Sequence, residues 1–439
     1  MRGLSLLLPL LLAGCATHAD RLHEVREFYY AGRVDLAAAK IDEHIARGGA
    51  DRDVLKLDRA VVELAAGRPQ DAERTLHEIR DQFDYLQQKS LVEGTASMLV
   101  DDNQAAYAGE DYERVLVRVF LALANLMHDG GDAQAYALQA GDLQEQIIAA
   151  GGGELEENPK LAYKRFALGP YLYGALREET HVNYDDAARA YSRVCSWEPD
   201  FPFGKVDLDR AAYGRHSRQG CGVLYVFALV GRGPCKIEVE ELPSSVSLLI
   251  ADRVLSHNAR HTVAPTVAPI KVPKVVVLPN DVRGVLVSVD GKECGGTATI
   301  ADIGQLAVQQ YEAIYPQVLA RAVARRAVKK AVFYGAKEAM SVENGGLANL
   351  GMDVAGVIWE ATESADTRCW GLLPDRIQVL RLELPVGEHR IGFRAAGRFG
   401  PMGQTDSADV RIEDGRNTYV LVNYPTDRLV GKVLVGRQP

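Results

Sequence analysis

Between Leu22 and about Tyr213 apolar positions recur at helical spacing in a background rich in Ala, Leu, Glu and Arg. Short polar turns break this text and share a grammar. Tyr30-Ala31-Gly32-Arg33 precedes Asp35-Leu36-Ala37, Leu64-Ala65-Ala66-Gly67-Arg68 precedes Asp71-Ala72-Glu73, and Tyr107-Ala108-Gly109-Glu110 precedes Tyr112-Glu113-Arg114. A fourth unit has Asn183-Tyr184-Asp185 before Asp186-Ala187-Ala188. Each unit predicts a first helix, a Gly or Asn turn, and a second helix with a small Ala face. After Tyr213 the period changes. Val223 to Val230 is an unbroken apolar run, long enough for a strand buried on both faces and hence central in a layered domain.

The helical half is similar to the tetratricopeptide pattern, in which hairpins stack because none can bury its apolar face alone. Three to five degenerate units are expected. That resemblance implies a concave surface for a peptide or partner protein. The plainer alternative is a helical layer that supports the second half.

In the second half, prolines 265, 269 and 273 predict a segment that lies extended rather than laddered before Val275-Val276-Val277-Leu278. A long helix is expected from Ile303 to Ala339, divided at Pro316. Its basic face carries Arg321, Arg325 and Lys329, a candidate contact for an anionic surface. Strands and tight turns between 375 and 425 predict a small antiparallel sheet. The fold expected is therefore α+β: helical repeats over 15–213, then a mixed α/β domain over 221–439 with a β module at 375–425.

Composition narrows the chemistry. A net charge of -9 argues against nucleic acid as partner. The Gly231-Arg232-Gly233-Pro234 turn lacks the ending of either nucleotide-binding pattern. His257 and His261 stand four apart without a carboxylate or cysteine placed near them by sequence. No cofactor or metal is implied. Six cysteines include Cys15, and five remain: 195, 221, 235, 294 and 369. Cys221 and Cys235 flank the apolar run and its tight turn, which makes them the candidate disulfide, spanning a hairpin.

At the start of the chain, Arg2, an apolar run from Leu4 to Leu12, and Leu12-Ala13-Gly14-Cys15 form a short secretory signal. It resembles the lipobox of bacterial lipoproteins, with residues 1–14 removed and Cys15 acylated. Ala16 after the cysteine then implies the outer membrane, with the protein facing the periplasm. Taken in order, this lipobox, Gly109 to Arg114, Leu224 to Phe227 with Gly231 to Pro234, Asp366-Thr367-Arg368 with Trp370 and Leu373-Pro374, and Leu384 to His389 resemble an uncharacterised family of bacterial lipoproteins with tetratricopeptide-like repeats. The family supplies no catalytic residues to carry over.

The leading expectation is a lipid-anchored scaffold or adaptor that holds an envelope protein through its repeats. Tyr107, Tyr112, Tyr163 and Tyr171 are the candidate partner-binding side chains. A lipid- or glycan-binding lipoprotein is the alternative. A hydrolase using Cys369 or Cys294 with His389 comes third, since no serine elbow is present and no catalytic set is legible.

Overall fold

A computed structural model describes residues 18–93, 106–151, 158–245, 247–251, 269–339 and 364–436, so the expected signal, Cys15, His257 and His261 lie outside the described residues. The helical half forms as α1 His18–Tyr30, α2 Val34–Ala46, α3 Arg52–Ala65, α4 Pro69–Glu93, α5 Asp111–Leu126, α6 Ala133–Ala149, α7 Leu168–Glu179, α8 Tyr184–Trp197 and α9 Gly204–Ala212. Each helix packs on its neighbours in the chain. Glycines at the predicted turns supply the left-handed backbone that reverses direction: Gly32 has φ +76°, Gly67 +81° and Gly109 +75°.

The second half contains β1 Cys221–Val230, β2 Pro234–Glu241, β3 Ile270–Val277, β4 Val282–Val289, β5 Lys292–Gly296, β6 Ala298–Asp302, helix α10 Ile303–Ala339, β7 Arg376–Pro385, β8 Gly387–Gly397, β9 Gly400–Ile412, β10 Asn417–Tyr424 and β11 Leu434–Val435. A five-stranded sheet has the order β11-β10-β1-β7-β6, a four-stranded sheet the order β5-β4-β8-β9, and β2-β3 form a ribbon. β1 runs parallel to β10 and antiparallel to β7. The strands between 375 and 425 all form, but they do not make a module of their own. β7 and β10 flank β1, whereas β8 and β9 join β4 and β5.

The alternation of side chains along β1 explains the layering. Val223, Tyr225, Phe227 and Leu229 join the core formed with the helices. Leu224, Val226, Ala228 and Val230 join a second core with Val285, Val287, Ile391, Phe393, Val410 and Ile412 of the other sheet. Because successive strand side chains point to opposite faces, a strand without polar positions must be covered twice. The helices cover one face and the second sheet the other. A third, smaller core joins Ile270 and Val272 to Leu319, Ala322, Val323 and Ala327 of α10.

Two proline expectations are corrected. Pro273 sits within the β2-β3 ladder opposite Glu238. A two-stranded ribbon pairs only one edge of each strand, so a proline whose nitrogen faces away costs no ladder bond. Pro316 lies inside α10 without ending it. Around it residues 313–318 are only half-buried, so the carbonyl that loses its partner stays close to water.

The shared core predicts that residues 214–439 made alone lack a cover for Val223, Tyr225, Phe227 and Leu229. That fragment should bind a dye for exposed apolar surface and lose its cooperative urea transition. A sharp transition and no dye binding would show instead that the sheets fold without the helices.

Candidate functional site

Among the described residues, the stretch before β7 is irregular in backbone and yet well buried. From Thr367 to Asp375 every residue is buried, although the backbone there is extended or turned rather than helical or laddered. Buried backbone N–H groups need acceptors, and here side chains of distant helices provide them. Trp370 donates its N–H to Glu113 Oε1 at 2.7 Å and Leu372 donates to Asp58 Oδ1 at 2.7 Å. Ala365 N–H reaches Glu238 at 2.8 Å. Arg368 is held by Asp366 through two bonds of 2.9 and 2.8 Å and donates to the carbonyl of Ala50 at 3.1 Å. The segment is thus a strap laid across the inner side of α1, α3 and α5.

Trp370 is its central apolar contact, fully buried, with its ring 5.0 Å from that of Phe120. Gly371 lets the strap pass close to α1, since a Cβ there would stand 2.7 Å from Arg26 Nη2 and 2.8 Å from Leu22. The Gly-rich turn after β1 receives the other end. Gly233 donates to Leu373 O at 2.9 Å, and a Cβ on Gly233 would lie 2.5 Å from that oxygen. Glycine is required there for backbone to approach backbone, not for a phosphate. Three stretches singled out in the sequence, 109–114, 231–234 and 366–374, therefore meet in one place.

Electrostatics at this junction are those of a sealed interior. Glu113 is fully buried and accepts from Tyr107 OH at 2.5 Å, Glu110 N–H at 3.1 Å and Tyr112 OH at 3.3 Å besides the strap. Burial, reinforced by Glu110, raises its carboxyl above the usual range. Burial pushes Asp58 up to about 7, against the pull of Arg26. Burial works against the charge of Lys236, but Glu110 and Asp366 outweigh it and hold the ammonium above its ordinary value. Lys236 also forms an ion pair with Glu110. The Cys369 thiol is pushed up to about 12 by burial, which leaves it inert as a nucleophile. Gaps between the helices and the sheets have volumes of about 20 and 10 Å³, room for a water and not for a lipid. A larger recess of about 300 Å³ lies outside the strap, lined by Arg52, Asp53, Lys56 and Glu78.

Several expected site residues fall elsewhere. Tyr107, Tyr112, Tyr163 and Tyr171 are all buried, at 4, 3, 4 and 0 % exposure, so as they stand they offer no surface to a partner. Tyr107 and Tyr112 hold Glu113, Tyr163 donates to Asp111, and Tyr171 packs among Tyr191, Phe201 and Tyr225. Cys221 and Cys235 are free thiols. The expected hairpin does not exist: Cys221 pairs with Pro385 at the start of β1, whereas Cys235 lies on β2 opposite Val276. His389 has both ring nitrogens occupied, by Asp290 at 2.8 Å and the Pro385 carbonyl at 2.9 Å. On α10 Arg321 is exposed and Arg325 half-buried, while the side chain of Lys329 lies outside the described residues. Asp58, Arg26 and Lys236 carry no motif that marks them, whereas Glu110, Glu113, Asp366, Arg368 and Trp370 lie in stretches already picked out.

Two measurements test the junction. Trp370→Ala should destabilise the whole protein by about 3–5 kcal/mol, as large core truncations do, read from the urea midpoint. Folded Asp58 holds its proton more tightly than the unfolded chain, whose carboxyl titrates near 4. Its contribution is therefore most favourable below about pH 4, declines as pH rises to about 7, and is flat above. Asp58→Asn should flatten that slope; parallel curves for both proteins would remove Asp58 from this role. Compared with known family models, curated proteins and solved structures, the chain matches none of them.

Proposed function

We propose that this protein is a lipid-anchored periplasmic scaffold or adaptor, held at the outer membrane through Cys15, that binds an envelope protein on the outer face of its helical layer. The observation that carries this reading is the division of labour between helices. Four helices face inward: α1, α3 and α5 hold the strap, and α7 meets β10 through the Ala175 carbonyl, which accepts from Asn417 at 3.1 Å. The even-numbered helices α2, α4 and α6 present Leu36, Tyr85 and Leu138 to solvent at 46, 59 and 40 % exposure.

The inner surface, where tetratricopeptide-like arrays take a peptide, is occupied by the chain's own strap. A partner in this reading meets the outer helices instead. Interfaces draw most of their energy from a few apolar or aromatic anchors, and Tyr85 is the natural one here.

Photo-crosslinking residues placed at Tyr85 and Leu138 in cells should yield one reproducible adduct with an envelope protein, and the same probe at exposed Thr405 on β9 should not. Tyr85→Ala should lower adduct yield from Leu138 without lowering the melting temperature. Absence of any adduct from the helical positions would refute the adaptor reading. Cys15→Ser should move the protein from the membrane to the soluble envelope fraction.

A further inference from the structure

The hairpin joining β8 to β9 turns on two residues, Arg398 and Phe399, between the paired Gly397 and Gly400. Loops of this length favour Asn, Asp and Gly, whose backbone tolerates the turn, and Phe brings no such advantage. The Phe399 ring is 96 % exposed, and its ring contact is the Arg398 guanidinium, 5.6 Å from the centroid. Nothing in the fold rewards an aromatic side chain at this tip. Residues that break a local rule without a folding gain mark functional positions.

The surroundings say what the ring meets. Arg283, Arg394 and Arg398 are exposed, and Val282 next to Arg283 pairs with Gly397. None of these three arginines forms an ion pair with an acid among the described residues, although Arg283 acts on the buried carboxylate of Asp375. Exposed Pro401 follows the turn, and Met402 packs its sulfur over Gly397. The nearby acids are exposed Asp281, half-buried Asp427 with exposed Arg428 beside it, half-buried Asp406, which accepts from Tyr424 OH at 2.8 Å, and buried Asp375. Among the exposed side chains here four arginines stand against one aspartate, Asp281, in a chain whose net charge is -9. An exposed aromatic ring amid arginines suits a membrane interface, where guanidinium groups meet lipid phosphate and the ring settles at headgroup depth.

The geometry points to this tip as a membrane contact: Phe399 enters the interface of an anionic phospholipid surface while Arg283, Arg394 and Arg398 engage its phosphates. The contact needs neither an acyl chain at Cys15 nor a protein partner on the helices, so its fate is separate from theirs. One ring gives a weak and reversible attachment by itself. Together with an anchor it fixes which end of the sheets faces the bilayer.

The test uses the full chain with Cys15→Ser and vesicles of phosphatidylcholine with or without phosphatidylglycerol. Sedimentation should occur with the anionic vesicles, weaken with salt, and fall roughly tenfold for Phe399→Ser, the loss expected when one inserted ring is removed. Phe399→Ser should melt at the parent temperature because the ring packs on no core. In Phe399→Trp, brominated lipid should quench fluorescence that it leaves unquenched in the parent. Equal binding by parent and Phe399→Ser, or no preference for the anionic lipid, overturns the proposal. So does loss of an envelope-protein crosslink in Phe399→Ser without any vesicle binding, which would assign the ring to a protein contact.

Discussion

A strand with no polar side chain cannot lie against water on either face, and β1 is such a strand over Val223 to Val230. Everything around it follows from the need for two covers. Its odd positions require the inner helices and its even positions require the second sheet. The helical array is consequently one wall of the protein's main core rather than an open arm. Its inner surface is committed before any partner arrives, and the remaining space is closed by the strap.

How the strap is held shows why buried charge can serve a fold. Two of the three helices that touch it offer a carboxylate to a backbone N–H, Glu113 of α5 to Trp370 and Asp58 of α3 to Leu372. An irregular segment has no ladder to satisfy its N–H groups, and leaving them unpaired costs about 1–3 kcal/mol each. The carboxylates meet that demand at the expense of their own desolvation, which appears as raised proton affinity. Arg26 and Lys236 keep the excess of negative charge from becoming prohibitive.

Local signals carried the fold well and the site poorly. The doubly buried strand, the helices with their Gly turns and the full span Ile303 to Ala339 were legible because each depends on a period within its own residues. The paired carboxylates were not, because Asp58 and Leu372 are separated by most of the chain and nothing near either announces the other. Aromatic residues at helical spacing indicate a face but not whether it points inward, and so Tyr107, Tyr112, Tyr163 and Tyr171 read equally as groove or core. The cysteine reading failed for a related reason. Cys221 and Cys235 flank one turn, but β1 and β2 leave that turn for different sheets. Trp370 lies against Phe120 of α5, a contact that nothing near either residue in the sequence announces.

The parallel pairing of β1 with β10 places Val223 beside Asn417. A chain made from its N-terminus therefore completes α1 to α9 and β1 long before the strap and β10 that seal them exist. During that interval the inner surface of the array, including the seat of Trp370, faces water with Asp58 and Glu113 lacking their strap donors and its apolar rows bare. Non-local pairing of this kind slows folding and exposes sticky surface on the way. The same arrangement makes the last strands a quality check: a polypeptide truncated before Asn417 keeps its helices but never closes, and is left as a substrate for proteases.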